Sequence, residues 1–432
     1  MKLSLALASL ISAALAVDTF QATPFLTSSN SQFGGGIEGA GVDRAGNIYA
    51  VNFNGQSAST GQVSPSQSLL YRDTGSALFN GIRFHIDSSG KEEAFVADAT
   101  GHRVVRLTNR NASGVFQNSA VLCQDAGILQ PNDIAIAHST GRIFMSGMNY
   151  QATDVIGNGD LWTCDSSGKA TKLGVFYRTN GIEVSPDEKT LYLSEAANKD
   201  WAVVSNIIYA FDLDAKAGTV TNKRVFADFG KLDNTASTDI DGMRTDTQGN
   251  LYVARNGIGK VAKLSPSGQL LAYITTPGHT SVTNLEFGGA AGTDLYIVGA
   301  CADNTSKGCV SVYKGSAVGT AFSKLQGAGP ITSSTSAAAV TTSTAATTAL
   351  PATSTSPASS TRPANTSSPI TSTTATGSGT TCDAAMQGKF QCTNAGSSPQ
   401  YSVCNNGTWL QQSCAGGTVC KQSGSSIYCD WA

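Results

Sequence analysis

Short stretches of alternating apolar and polar residues recur along positions 17–330. Each stretch follows another short strand across a Gly, Ser or Asp turn, and no long helical periodicity competes with the alternation. The stretches are Asn47–Val51, Ala94–Ala97, Arg142–Met145, Thr190–Leu193, Asn250–Val253 and Asp294–Ile297. Six copies of one hairpin, repeated roughly every 40 to 50 residues, predict an all-β fold: a six-bladed β-propeller spanning 17–330.

The first strand of each repeat begins with a residue whose short side chain ends in a carboxylate or amide oxygen. These lead residues are Glu38, Asn80, Asn132, Asn180, Asp241 and Asn284. Because the inner strands of a propeller surround a central channel, equivalent positions of the blades converge on one mouth of it. Two carboxylates among several amides are the ligand set of a hard cation, which favours calcium, with zinc and magnesium as alternatives.

Turn formation is the alternative explanation for any single lead residue. Asn and Asp before Gly are common in turns, because they tolerate a left-handed backbone and bond to their own chain. Six copies in register, with the two acids in the first and fifth copies, favour the cation site over turn chemistry alone.

The ends of the chain differ from its body in composition. Charged residues are 13% of the chain, about half the usual share of roughly 25%. Residues 331–381 contain 29 Ser or Thr out of 51, with regularly spaced prolines. This composition predicts a disordered, O-glycosylated linker. At the other end, Lys2, an apolar stretch and Ala14-Leu15-Ala16 predict a signal peptide over 1–16, and hence a secreted protein.

Ten cysteines fit a secreted protein, in which disulfides form and Asn-x-Ser/Thr sequons can be glycosylated. Cys301 and Cys309 are close enough to bridge a hairpin loop, which leaves Cys123 to pair with Cys164. Residues 382–432 form a small module whose core is expected to be held by its six cysteines. They are Cys382, Cys392, Cys404, Cys414, Cys420 and Cys429. Sequence alone does not choose among their fifteen pairings, and the absence of His and of Cys-x2-Cys disfavours zinc.

The net charge of −2 gives no basic surface for nucleic acid or an anionic membrane. No apolar run inside the chain reaches the roughly 20 residues of a membrane span. We therefore expect a monomer without nucleic-acid or membrane partners.

Two segments of the body, Thr179–Tyr192 and Asp241–Tyr252, resemble the signatures of the senescence marker protein/gluconolactonase family of six-bladed propellers. The resemblance covers roughly 30–315 and implies a divalent metal held by Glu38, Asn180 and Asp241. It implies that Asn132 is a further ligand or substrate contact and that Asp241 is the catalytic base. This chain has Ala40 and Thr179 where the family has prolines, and neither change removes an oxygen ligand. The family's substrate-orienting arginines have no evident match.

The last 51 residues resemble the fungal family 19 carbohydrate-binding module, which is associated with chitin. The resemblance rests on the cysteine framework and on Asn406-Gly407-Thr408-Trp409. Aromatic side chains on a disulfide scaffold can stack on the C–H faces of sugar rings. The candidates are Tyr401, Trp409, Tyr428 and Trp431. The alternative is that Trp409 and Tyr428 form the small core of the module.

Together these features predict a secreted, metal-dependent lactonase that its C-terminal module tethers to chitin or another wall polysaccharide. In this hypothesis Asn80, Asn132 and Asn284 contact a small lactone. Two alternatives remain open. One is a non-catalytic chitin-binding protein whose propeller holds a structural calcium. The other is a phosphotriesterase-like hydrolase, because metal-bound propellers of this type also activate P–O and P–F electrophiles.

Overall fold

The computed structural model describes residues 17–149, 155–279 and 281–327. It also describes 390–395, 397–398, 400–405, 408–413, 418–423 and 426–431 near the C-terminus. The predicted signal peptide and linker lie outside these residues. Within them, no helix is both long and apolar enough to cross a lipid bilayer.

The body begins with two short strands, β1 (Asp18–Gln21) and β2 (Thr23–Leu26), which join sheets formed much later in the chain. Four-stranded blades follow. Blade one contains β3 (Ala40–Val42), β4 (Ile48–Val51), β5 (Ser59–Ser64) and β6 (Ser68–Arg72). Blade two contains β7 (Phe79–Ile86), β8 (Glu92–Asp98), β9 (Arg103–Arg110) and β10 (Phe116–Gln124). Blade three contains β11 (Gln130–Ala137), β12 (Arg142–Met148), β13 (Gly159–Cys164) and β14 (Ala170–Phe176).

The second half of the ring repeats this pattern with two short helices added. Blade four contains β15 (Arg178–Val184), β16 (Thr190–Lys199), β17 (Ala202–Asp214) and β18 (Thr219–Asp228), and α1 (Phe229–Leu232) follows it. Blade five contains β19 (Asp239–Thr245), β20 (Leu251–Asn256), β21 (Lys260–Leu264) and β22 (Leu270–Thr275). Blade six contains β23 (Asn284–Gly288), β24 (Asp294–Ala300) and β25 (Gly308–Lys314), and α2 (Thr320–Gly327) ends the body.

The chain's N-terminal strands close the ring. Strand β2 pairs antiparallel with β25 and is the outermost strand of blade six, while β1 adds a parallel strand to the outer edge of blade five. The predicted six-bladed propeller is confirmed, and the six alternating stretches lie in the second strand of each blade.

The apolar core lies between neighbouring blades. Phe144 of blade three packs in one buried cluster with Phe211 of blade four, and Ile208 of blade four packs in the next with Met243 of blade five. Each blade therefore buries both faces against its neighbours. This packing leaves the beginnings of the inner strands to surround the channel.

Two disulfides in the body are those expected from the sequence. Cys123 in β10 bonds to Cys164 in β13 and links blades two and three, while Cys301 and Cys309 bridge the β24–β25 hairpin.

Among the described residues of the tail, β26 (Phe390–Cys392), β27 (Gln400–Asn405) and β28 (Thr408–Ser413) form one sheet. Strands β29 (Thr418–Ser423) and β30 (Ser426–Trp431) form a second. A disulfide joins Cys392 to Cys420. The bonding of Cys382, Cys404, Cys414 and Cys429 lies outside what the structure describes.

Candidate functional site

A cleft of about 530 Å³ opens where the inner strands begin. Five of the six lead residues line it: Glu38, Asn80, Asn132, Asn180 and Asp241. The remaining lining residues are Met148, Arg178, Trp201, Val203, Ser237, Asp239 and Asn256. The repeat therefore brings oxygen-bearing side chains from five blades to one mouth of the channel.

A β-bulge places the lead residue in each of blades two to five. In these blades the lead residue and the one after it lie opposite a single residue of the neighbouring strand. The bulged pairs are Asn80-Gly81, Asn132-Asp133, Asn180-Gly181 and Asp241-Gly242. A bulge interrupts strict alternation and re-aims a side chain, so these residues belong to inner strands and are not ordinary turn residues. In blade one, Glu38 lies just before β3.

Close approach of neighbouring inner strands explains the glycines that follow the lead residues. A Cβ atom on Gly181 would lie 2.2 Å from the backbone oxygen of Asp241. One on Gly39, whose φ is +49°, would lie 2.1 Å from that of Asn80. Any larger residue would push the next blade outward. The Asx-Gly pattern therefore reports how tightly the strands converge around the channel.

Two of the three carboxylates that line the cleft, Glu38 and Asp241, are electrostatically unfavourable in the absence of a cation. Burial raises the pKa of Glu38 well above its usual range, and the charges of Asp241 and Asp133 raise it further. Burial and the neighbouring charge of Asp239 raise the pKa of Asp241 to about 7, against hydrogen bonds from Asn256 and Asn180. The Asn256 amide donates to Asp241 Oδ2 over 2.8 Å.

Asn180 provides an independent indication of a ligand. Its side-chain Oδ1 is buried and has no hydrogen-bond partner among the described residues, whereas its amide group donates to Asp241. A buried acceptor without a donor is costly, and a hard cation would satisfy it. No cluster of three or more His, Cys, Asp and Glu in the described part of the chain could hold a metal. Amide oxygens therefore complete the candidate set: Glu38, Asn180 and Asp241, with Asn132 beside them.

Asn284 does not join the lining of the cleft. Its side chain is 2% exposed, its amide lies 3.4 Å from Asp133 Oδ2, and its oxygen accepts the Leu285 N–H. Strand β23 pairs with β24 without a shift in register, and a buried Leu follows the lead position instead of Gly. Without a bulge the side chain stays inside the channel, so the expected substrate contact has no access to the cleft.

Arg178 and Asp239 line the cleft but were missed in the sequence. Arg178 Nη2 donates to Asp239 Oδ2 over 2.6 Å, and burial raises the pKa of Asp239. Asp239 Oδ1 is buried without a partner among the described residues. The missed signal is positional: each residue lies two positions before a lead residue, Asn180 or Asp241. Arg178 is thus an arginine at the site, although no family motif identified it.

A buried charge network fills the channel beyond the cleft. Its members are Arg83, Asp133, Glu183, Arg244 and Glu286. Arg83 lies 3.1 Å from Asp133 and Arg244 lies 2.8 Å from Glu286, and both arginines donate to the backbone oxygen of Ala40. Helix α2 packs across this end of the inner strands, and its residues line a small cavity together with Arg83, Glu183 and Arg244. The cleft is therefore the open end of the channel.

The aromatic residues predicted to bind carbohydrate lie apart from this cleft, in the tail. Tyr401 packs against the buried Cys392 and Cys420, so its ring belongs to the core of the module. Trp409 is half-buried and pairs across the sheet with Cys404. The side chains of Tyr428 and Trp431 lie outside the described residues.

Solved structures of related propellers share this fold. A calcium-binding regucalcin from Agrobacterium tumefaciens strain C58 is 20% identical, with a TM-score of 0.55 over 71% of this chain and 97% of its own. A luciferin-regenerating enzyme is 19% identical, with a TM-score of 0.53 over 67% of this chain and 95% of its own. A gluconolactonase from Xanthomonas campestris is 20% identical, with a TM-score of 0.48 over 66% of this chain and 88% of its own. At these identities the likeness concerns the fold alone.

No curated protein sequence matches the chain. The family model of the SMP-30/gluconolactonase/LRE-like region matches residues 38–301, which run from the first cleft carboxylate to the disulfide of blade six. The chain therefore belongs to the SMP-30/gluconolactonase/LRE-like family of six-bladed propellers.

Proposed function

We propose that the propeller is a metal-dependent hydrolase that opens lactone rings and that calcium is its metal. The observation that carries this proposal is the convergence of Glu38, Asn180 and Asp241 on one open cleft, where two carboxylates repel each other beside an unpartnered amide oxygen. Membership of a lactonase-type family supports the same reaction class. Oxygen ligands of this number and kind suit calcium better than zinc.

The residues of the cleft have different roles in hydrolysis. When bound, a divalent cation polarises a carbonyl oxygen and stabilises the negative charge that develops on it. Glu38, Asn180 and Asp241, with Asn132, would hold it. Asp241 accepts a proton from the attacking water.

The bond changes follow from the position of that base. The water oxygen bonds to the carbonyl carbon, the ring C–O bond breaks, and the departing ring oxygen takes up the proton that Asp241 held. The product is an open-chain hydroxy acid. The Asn256 amide orients the Asp241 carboxylate throughout.

The test uses the full chain with a panel of lactones and one phosphotriester. Chelation is expected to abolish lactone opening and calcium to restore it, while Asp241→Asn should lower kcat by at least about 100-fold because base and ligand are lost together. The control is Asp18→Asn, an exposed acid on β1, which should retain full activity.

Three outcomes separate the alternatives. Robust turnover by Asp241→Asn would reject the role given to that carboxylate. Calcium binding without turnover of any substrate would favour a structural ion in a non-catalytic protein. Turnover of the phosphotriester alone would favour the phosphotriesterase hypothesis.

We also propose that the protein is secreted and that residues 382–432 tether it to chitin. The support is the signal-like sequence of 1–16, the Ser/Thr-rich segment 331–381 and the cysteine framework of the tail. In a chitin pull-down of the full chain, Trp409→Ala should weaken retention. Tyr401→Phe should not, because it keeps the ring that packs on the Cys392–Cys420 disulfide. Equal retention by Trp409→Ala would remove Trp409 from the binding surface.

A further inference from the structure

The hairpin of β16 and β17 extends beyond the rest of blade four. The inner strand β15 begins at Arg178, which pairs with Ala196, and the outer strand β18 ends at Asp228, which pairs with Ile207. Residues 197–205 therefore pair only with one another in this sheet, up to Lys199 and Ala202. With a rise of about 3.3 Å per residue, the hairpin projects roughly 10 Å past the inner strand. It does so at the end of the channel where the cleft opens.

The two residues at the tip of the hairpin adopt an unusual backbone. Asp200 and Trp201 have φ angles of 50° and 67°, and this two-residue loop suits the right-handed twist of a hairpin. Asn, Asp and Gly normally occupy such positions, whereas a bulky side chain with positive φ is an outlier. Backbone strain of this kind clusters at ligand-binding sites, so the indole of Trp201 calls for a reason other than turn formation.

Trp201 lines the cleft together with Val203 and Met148, and among the described residues these three are the apolar part of its lining. Trp201 is 61% exposed, so its ring is accessible to a ligand in the cleft. Arg178 links these apolar residues to the polar residues of the cleft, because its guanidinium contacts Met148 Sδ, Asn198 of the hairpin and Asp239. The hairpin is therefore anchored to the candidate site at its base.

We infer that Trp201, Val203 and Met148 form a subsite for an apolar group of the substrate. This inference rests on the proposed function and specifies its substrate class: lactones that carry an aromatic ring or alkyl group, rather than fully hydroxylated sugar lactones. Val offers no hydrogen bond to hydroxyl groups and Met offers only a weakly accepting sulfur, which Arg178 already contacts, whereas a sugar lactone carries hydroxyls around its ring. A planar or branched apolar group gains contact with all three side chains.

The first arm of the test compares two substrates, 3,4-dihydrocoumarin and glucono-δ-lactone, in the full chain. Wild type should have the higher kcat/KM for dihydrocoumarin. Trp201→Asn removes the ring while suiting positive φ, so it should raise KM for dihydrocoumarin about tenfold and leave glucono-δ-lactone within about twofold. Trp201→Phe should restore most of the loss. The matched control is Val204→Ala, an exposed apolar residue of the same hairpin that does not line the cleft.

The second arm measures binding without turnover. Calorimetric titration of the full chain with β-tetralone, the unhydrolysable ketone analogue of dihydrocoumarin, should show about tenfold weaker binding to Trp201→Asn than to wild type. If no lactone is hydrolysed but tetralone binds through Trp201, the proposed function fails and the apolar subsite stands. The inference is overturned if Trp201→Asn leaves both tetralone binding and the KM for dihydrocoumarin unchanged. It is also overturned if Trp201→Asn raises KM equally for both lactones, or if Val204→Ala has the same effect as Trp201→Asn.

Discussion

The central channel carries buried carboxylates at two levels, and the two levels differ in charge balance. In the cleft, burial together with neighbouring negative charges raises the pKa of both Glu38 and Asp241. In the buried charge network, burial likewise acts to raise the pKa of Asp133, but Arg83 and Arg244 outweigh it and the pKa is lowered. Burial is common to both levels. Two arginines lower the pKa of Asp133, whereas the arginine of the cleft, Arg178, pairs with Asp239 and does not prevent the rise at Asp241. Glu183 is the exception within the network, because burial still raises its pKa to about 7.

The two levels are three residues apart on the same inner strands. Asn80 is followed by Arg83, Asn180 by Glu183 and Asp241 by Arg244. These strands therefore present candidate ligand groups at the mouth and, inside, arginines that pair with Asp133 and Glu286, where α2 covers the channel. A buried acid without a cation indicates a binding site, and a buried acid with one indicates scaffold.

The largest expected effect is the loss of stability when an arginine is removed from the buried charge network. Arg244 is 2% exposed and contacts Glu286, Asp133 and Ala40. Arg244→Met should lower the free energy of unfolding by about 3–5 kcal/mol, because it leaves buried carboxylates without a partner. Urea denaturation measures this. Arg106→Met is the control, since its side chain is 40% exposed beside Glu93 and should cost at most about 1 kcal/mol. Equal effects of the two variants would contradict the role assigned to the network.

At the cleft, a substitution is expected to raise the free energy of unfolding rather than lower it. In metal-free protein, Asp241 binds its proton more tightly when folded than when unfolded, so stability falls as pH rises from about 4 to about 7. Asp241→Asn removes that cost and should raise the free energy of unfolding by about 1–3 kcal/mol at pH 8 and by little at pH 4.

A second buried acid provides the control for this stabilisation. Asp246 accepts hydrogen bonds from Asn250 and Tyr252, so Asp246→Asn should destabilise the protein. Urea denaturation in chelator at the two pH values distinguishes the variants. A loss of stability in Asp241→Asn at pH 8 would show that its carboxylate is compensated after all.

The sequence was sufficient to predict the ring and most of its mouth, because both follow from local repeats. Alternation identified the second strand of every blade, and Asx-Gly pairs marked the bulges at Asn80, Asn180 and Asp241. The one misplaced lead residue, Asn284, was aligned by position alone. Leu285 follows it, whereas Gly or Asp follows the lead residue in each bulged strand, and that difference was already visible in the sequence.

Contacts between distant segments could not be predicted in this way. Closure of the ring pairs Thr23 with Val312, and neither residue carries a local signal for the other. The ion pair of Arg178 and Asp239 depends on two bulged strands lying side by side. The exposure of Trp201 over the cleft depends on how far one hairpin outruns its neighbours. Such features follow from register and strand length in the folded sheet, so periodicity does not reveal them.

The smallest of the expected effects is the pH dependence of calcium binding, because protons and calcium compete for the carboxylates of the cleft. Calcium requires the ionised Asp241 carboxylate, whose pKa in the metal-free protein is about 7. Competition by Asp241 alone should therefore leave calcium affinity constant above pH 7 and lower it by up to about tenfold per pH unit below that. One unit corresponds to about 1.4 kcal/mol. Because the pKa of Glu38 is also raised, the fall should steepen when both acids compete for protons.

Calorimetric titrations of calcium at pH 5.5, 6.5, 7.5 and 8.5 measure this dependence, and buffers of different ionisation enthalpy count the protons released. In Asp246→Asn the profile should keep its shape, because Asp246 lies outside the cleft. A calcium affinity that does not change between pH 5.5 and 8.5 would mean that the ion binds elsewhere. The acids at the mouth of the channel would then be buried without a bound cation to offset their charge.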